Sequence, residues 1–276
     1  MASDRLDESI RQMDKPVTLE SLADDLRSIG LRAGDTVIVH ASLSSLGWVN
    51  GGPVAACHAL TEVVTEAGTI VMPAHSYNFS DPANWRSPAV PVQWIDTIRA
   101  TLPAFDPAIV PTTRMGQIAE TFRRWPGATR SQHPVNSFAA WGSHSGFVTE
   151  NQTYERSQGE HSPLARIYDV DGKVLLLGVG YERNTSFHLA EHRVNGTPVQ
   201  RVNVLTARPG HESDERWREV EEIQHMGSDM LLAIGTEFEA TGAVTVGRAG
   251  MAQARLFSQR AAVDHAVARH KRHYRE

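Results

Sequence analysis

The stretch that most constrains this chain runs from Lys173 to His192, KVLLLGVGYERNTSFHLAEH. Val174 to Leu177 is an apolar run of strand length, and Asp171-Gly172 before it is a turn signal. A strand apolar on both faces has no side to show to water, so it belongs inside a parallel sheet with helices on each side. Gly178-Val-Gly180 ends the run, and Tyr181 to Asn184 reads as a short polar loop. Asn184, Thr185 and Ser186 all suit the start of a helix, where side-chain oxygens satisfy free N–H groups. His188 then falls in or beside the first turn, with Glu191 one turn later on the same face. In open α/β sheets ligands bind beyond the carboxyl ends of the strands, where this loop and helix start must lie. The partial positive charge of a helix N-terminus disfavours imidazolium, so a histidine there stays neutral and suits a general base. A histidine that only caps or packs the helix suits the same position, and this stretch alone leaves both readings open.

The rest of the chain repeats the alternation of strand and helix. Residues 1–17 read as a loose polar lead-in, and Thr18 as the cap of an amphipathic helix carrying Leu19, Leu22, Leu26 and Ile29. Thr36 to Val39 is a core strand, followed by a hydroxyl- and glycine-rich loop from His40 to Gly52. Pro53 then opens a helix to Ala67, and Thr69 to Met72 is the next strand. This strand, loop, helix, strand unit is a parallel crossover with an anion-ready loop at its switch, though a plain turn has the same composition. It lacks both the dinucleotide glycine pattern and the lysine of a nucleotide P-loop. Ala74 to Pro111 reads as one long loop, either functional or a cover for the sheet. Beyond it come a helix from Met115 to Arg124, a strand from Ser137 to Gly142 and a helix opened by Gly159 to Pro163. Val202 to Leu205 reads as extended, Met226 to Ile234 as helical, and Phe257 to Arg275 as a surface helix. The expected fold is one α/β domain over residues 1–276, layered α/β/α around a mostly parallel central sheet.

Composition removes several classes. With 276 residues, 41% of them hydrophobic, the chain can bury a sizeable core. A formal net charge of −5 with both signs dispersed argues against nucleic acid as the main partner and allows a cationic ligand. Cys57 is the single cysteine, so neither an internal disulfide framework nor a cysteine zinc cluster is available; on its apolar helix it reads as core. The polar first residues lack a secretory core, and no apolar run approaches membrane-spanning length, so a cytoplasmic protein is expected.

Five stretches in order carry a resemblance: Val37 to Gly52, Phe105 to Gly142, Gly159 to Gly180, Asn184 to Glu191 (NTSFHLAE) and Ala254 to Phe257 (ARLF). The chain resembles the aminoglycoside 3-N-acetyltransferases, a family distinct in fold from the common N-acetyltransferases. The likeness runs from Thr18 to Phe257, departing at Ser258-Gln259-Arg260, where acid and alanine usually follow. It implies acetyl transfer from acetyl-CoA to the 3-amino group of a 2-deoxystreptamine aminoglycoside, giving antibiotic resistance, without a metal. It implies CoA contacts from His40, Ser42, Leu43, Ser44, Ser45, Leu46 and Gly47, with Thr113, Arg114, Met115, Ser162 and Pro163 as further candidates. It also places the catalytic histidine at His188 and its following acid at Glu191. The partners implied are the antibiotic and acetyl-CoA, with no nucleic acid and no membrane, in a monomer or homodimer.

That chemistry has physical requirements. An ammonium cannot attack a thioester until it loses a proton, and the thioester oxygen gains charge as the tetrahedral state forms. The Ser/Gly loop or Thr185 could donate to that oxygen. A polycationic acceptor calls for carboxylates, for which Asp81, Asp106, Glu160 and Glu182 are candidates alongside Glu191. Two rivals remain. His188-Leu-Ala-Glu191-His192 matches the H-x-x-E-H helix of inverted zinc peptidases, which pairs both histidines on one metal. A non-catalytic CoA- or aminoglycoside-binding protein would use the same loop without the base. His133 reads as a structural hydrogen-bonding histidine, and His265, His270 and His273 as part of a solvated helix.

Overall fold

The computed structural model describes residues 10–207 and 216–273. In chain order these hold α1 (Leu19–Ser28), β1 (Thr36–Ala41), α2 (Gly52–Val64), β2 (Thr69–Pro73), α3 (Ile95–Thr101), α4 (Gln117–Phe122), β3 (Thr129–Arg130), β4 (Phe138–Gly142), α5 (Ser145–Thr149) and α6 (Pro163–Asp169). Then follow β5 (Lys173–Leu177), α7 (Ser186–His192), β6 (Val199–Leu205), β7 (Trp217–Ile223), α8 (Ser228–Glu239), β8 (Thr245–Ala249), β9 (Ala252–Ser258) and α9 (Gln259–His273). The seven-stranded sheet has the order β3-β4-β2-β1-β5-β9-β8. Its centre is parallel: β1 pairs with β2 on one side and with β5 on the other. β4 and β9 run antiparallel to their neighbours, so β3, β2, β1, β5 and β8 share one direction.

Strand periodicity divides the core into two layers. Val37, Val39, Ile70, Met72, Leu175 and Leu177 face one side, with Leu22 and Leu26 of α1, Leu60 of α2 and Phe122 of α4. The alternate residues Ile38, Val71, Val174 and Leu176 face the other, with Ile167 of α6, Phe187 of α7, Ile234 of α8 and Val263 of α9. Successive side chains of a strand point to opposite faces, so an all-apolar strand needs helices on both. Val174 to Leu177 are fully buried, and each such aliphatic side chain contributes about 1.5–3 kcal/mol. α1 starts where expected: the Ser21 N–H donates to Thr18 Oγ1 at 3.1 Å, and the Thr18 N–H to Ser21 Oγ at 3.0 Å.

Several expectations are corrected. The lead-in is not loose throughout, because Val17 is buried and bridges to Val49; residues 1–9 lie outside the described residues. Ala74 to Pro111 carries α3 and short 3-10 turns, and Phe79, Phe105 and Val110 pack with Leu205 in a small core of their own. The extended segment is half of a hairpin, β6 with β7, and β8 was not anticipated. The terminal helix is no surface helix. It begins at Gln259, Phe257 belongs to β9, and Ala262, Val263, Ala266 and His270 are buried against the sheet. His133 has its structural role: Nδ1 accepts from the N–H groups of Val135 and Asn136 at 3.2 and 2.9 Å. Cys57 is fully buried. Among the described residues, no helix is long and apolar enough to cross a membrane.

One close contact fixes the route into α7. Gly235 of α8 lies against Tyr181, such that a Cβ there would stand 1.9 Å from the tyrosine Cγ. The Tyr181 hydroxyl in turn donates to Glu239 at 2.8 Å, clamping the loop before α7 to α8. Gly235→Ala therefore overpacks this contact, and the expected net cost is about 1–3 kcal/mol in spite of alanine's better helix propensity. A lower denaturant midpoint at unchanged slope would show it.

Candidate active site

A cavity of about 1590 Å³ opens at the carboxyl ends of β1, β2 and β5. Its floor is Val39, His40 and Ala41 of β1, Met72 and Pro73 of β2, and Gly178 just past β5. Ligand sites fall at this edge of a sheet because the loops leaving parallel strands converge there. The loop after β1 folds into a tight turn: the Ser42 N–H donates to the Leu177 carbonyl at 2.9 Å, and Ser45 Oγ to Ser42 Oγ at 2.8 Å. Gly178, at φ +70°, permits this closeness, since a Cβ there would stand 2.6 Å from Ser45 Cβ. Loop and strand end thus form one wall.

The opposite wall is the start of α7. Asn184, fully buried, accepts from the Ser186 N–H at 3.2 Å, and Thr185 Oγ1 lies 3.4 Å from His40 Nε2. His188 lines the cavity one turn on. Its Nδ1 lies 3.1 Å from Glu191 Oε2. Glu191 is fully buried, and its carboxylate also meets His225 Nδ1 at 2.6 Å and accepts from the Met226 N–H at 2.9 Å. Burial pushes this carboxyl up, but the hydrogen bonds from His188 and His225 outweigh it and hold it down to about 2. Burial likewise lowers His188 below the ordinary histidine value, against the opposing pull of Glu191. An ionised carboxylate at Nδ1 fixes the proton there, so His188 keeps a lone pair on Nε2 for the cavity. His40 and His75 are both pushed down to about 3 by burial and by His188, so they stay neutral.

Of the residues singled out in the sequence, His40, Ser42, Leu43, Ser44, Ser45, Gly47, Arg114, Met115, Glu182 and His188 line this cavity. Others do not. Leu46 is buried in the core beneath the loop, and Thr113 is tied to His75 and Asn78. Ser162 caps α6, and Pro163 is buried in its first turn. Three of the four proposed acceptor carboxylates are engaged elsewhere. Asp81 is held by Arg99 at 2.7 and 3.0 Å and by Asn203 at 2.8 Å. Asp106 caps a turn at the Ala108 N–H, and Glu160 pairs with Arg193. Each satisfies its charge on a donor the fold brings closer than the cavity. Glu182 alone reaches the wall, beside Arg183 and Arg255, which the sequence did not suggest. His75 also lines it, with its buried Nε2 unpartnered among the described residues.

The zinc-peptidase pairing does not form. His188 gathers with Glu191 and His225, while His192 gathers with Glu222 and His225; in each trio the donor atoms lie within 4.8 Å of one another. Either trio has nitrogen and oxygen donors of a kind that takes a cation, but the two histidines of the motif fall in different trios. Glu191, which the motif needs as a free base, is instead the shared partner of two imidazoles.

The family model for aminoglycoside 3-N-acetyltransferase matches residues 38–271. The chain belongs to the aminoglycoside 3-N-acetyltransferase family. Relatives of this acetyltransferase include the SPbeta prophage-derived aminoglycoside N(3')-acetyltransferase-like protein YokD of Bacillus subtilis, 45% identical over 91% of each chain. Aminoglycoside N(3)-acetyltransferase VII of Streptomyces paromomycinus is 35% identical over 94% of this chain and 93% of its own. Among solved structures, YokD superposes with a TM-score of 0.92 at 42% identity, covering 96% of this chain and 97% of its own. AAC-IIIb in binary complex with CoASH gives 0.82 at 31% identity, covering 94% and 98%.

Because the folded Glu191 carboxyl titrates near 2 and its ordinary value is 4.5, its contribution to stability is full above 4.5 and disappears as pH falls to about 2. Glu191→Gln should cost about 1.5–3 kcal/mol at neutral pH, the range for hydrogen bonds to a charged group. Its denaturation midpoint should converge on that of the wild type across the same acid window.

Proposed function

We propose that this chain transfers the acetyl group of acetyl-CoA to the 3-amino group of a 2-deoxystreptamine aminoglycoside, acting as one domain, with His188 as base. The observation that carries the reading is a neutral imidazole on the cavity wall, its Nδ1 against a buried ionised carboxylate and its Nε2 free. At roughly 300–1,000 Å³ for a single small-molecule site, a cavity of about 1590 Å³ has room for donor and acceptor together.

The acetyl donor enters along the loop from His40 to Gly47, where backbone N–H groups and serine hydroxyls suit its phosphates and Arg114 adds positive charge. The acceptor ammonium first releases one proton to solvent; as the neutral amine attacks the thioester carbonyl, His188 Nε2 takes the second proton from its nitrogen. The developing oxyanion is met by N–H groups of the Ser/Gly loop or by the Thr185 hydroxyl. Collapse breaks the C–S bond, and the CoA sulfur leaves as thiol with the proton held by the imidazolium. The product amide carries no charge where the antibiotic carried an ammonium, which accounts for resistance.

Charge on the wall suits the donor first. Glu182 is the only carboxylate lining the cavity among the described residues, against Arg114, Arg183 and Arg255, and Arg255 is itself paired with Glu239. The several negative charges of the CoA phosphates exceed that excess, so a cationic acceptor meets a cavity made negative by the bound donor. Thiol release from acetyl-CoA, screened over a panel of aminoglycosides, tests the reading.

His188→Ala should lower kcat by about 10²–10⁴-fold, the usual cost of a lost general base, with acetyl-CoA affinity and thermal stability retained. A variant that keeps most of its kcat would remove His188 from the mechanism. One that loses its fold would return the histidine to a packing role.

A further inference from the structure

His225 lies on the connection between β7 and α8, 34 residues from Glu191 in sequence, and does not line the cavity. Its Nδ1 stands 2.6 Å from Glu191 Oε2, the same oxygen that His188 Nδ1 approaches at 3.1 Å. The two rings lie with centroids 4.3 Å apart. One carboxylate charge therefore serves two imidazoles, and the shorter contact belongs to the histidine that the reaction does not touch. A single buried negative charge can compensate one imidazolium but not two at this separation.

We propose that His225 is a positioning residue that keeps His188 unprotonated, and so able to act as a base, by competing with it for the Glu191 carboxylate. This rests on the reading of His188 as the base. The groups facing His188 from each packed element are few. Glu191 and His192 come from its own helix, Glu222 from β7, His225 from the β7–α8 connection, His40 from β1 and His75 from the loop after β2. Glu191 and Glu222 favour the imidazolium of His188, and the neighbouring imidazoles oppose it. Glu222 is drawn away, since its Oε2 accepts from the Ser157 N–H and hydroxyl at 2.8 and 2.7 Å. His40 and His75 stay neutral. His225 is thus the neighbour that both repels a proton on His188 and takes up the carboxylate that would attract one.

Removing it should act in one direction through both routes. Without His225 the carboxylate is free for His188, and the neighbouring imidazole's opposition to a proton on His188 is gone, so the imidazolium of His188 becomes more favourable. His188 then titrates at higher pH, and the base is lost over more of the acid range.

The test compares the full-length wild type with His225→Leu, which removes hydrogen bond and charge, and His225→Asn, whose side-chain amide can still donate to Glu191. His188 is followed by imidazole NMR titration, which needs no acceptor, and activity by the pH profile of kcat. In His225→Leu the His188 titration and the acid limb of kcat should both move to higher pH, with kcat regained in alkali. His225→Asn should move them the same way but less, and it carries the test if the leucine variant does not fold. A folded variant whose His188 titrates where the wild type does, or lower, would overturn the proposal. So would kcat lost equally at every pH, the mark of a purely structural role. If the titration moves and the acid limb does not, the coupling stands and His188 is not the base, so the failure falls on the catalytic reading alone.

Discussion

The interaction on which this site depends is the burial of the Glu191 carboxylate. A lone carboxylate away from water is costly, and here the cost is offset by hydrogen bonds from His188, His225 and the Met226 N–H. Those contacts draw α7 to the β7–α8 connection, segments with no local reason to meet. The same charge sets the tautomer of His188 and leaves its other nitrogen for chemistry. Stability and reactivity are therefore linked at one oxygen atom.

Around that point the sheet supplies direction. The parallel centre, β2-β1-β5, sends its carboxyl ends to one edge, and the turns leaving β1 and β5 close against each other there. Gly178 lets the two turns touch, and Gly235 lets Tyr181 seat under α8. Both glycines do the same physical job of removing a Cβ from a place where another chain segment must pass. The result is a rigid floor carrying a hydroxyl-rich wall on one side and the histidine helix on the other.

Electrostatics on the rim follow from competition among donors. Asp81 finds Arg99 and Asn203, and Glu160 finds Arg193, so neither has a charge to spare for a ligand. The wall is left with Glu182 among three guanidinium groups. An anionic cosubstrate suits that surface readily, and the acceptor must fit what remains of it.

The sequence by itself determined the layered α/β class, because Val174 to Leu177 has no polar face and the strands around it recur at crossover spacing. It also determined the pair His188 and Glu191, because three-residue spacing on a helix is local geometry. The serine- and glycine-rich loop after β1 was legible for the same reason. Tertiary structure decided the rest. His225 reaches Glu191 from a distant connection with no spacing signal to announce it; β7 sets its apolar residues Trp217, Val220 and Ile223 three apart, which hides its strand period, and β8 is a short mixed run. Asp81 and Glu160 looked available in one dimension because Arg99 and Arg193 stand 18 and 33 residues away. The terminal helix looked solvated because its basic residues dominate its composition, whereas Ala262, Val263 and Ala266 form the face that packs. Local rules place a residue on an element, but which charges meet depends on how the elements are stacked, and only the folded chain settles that.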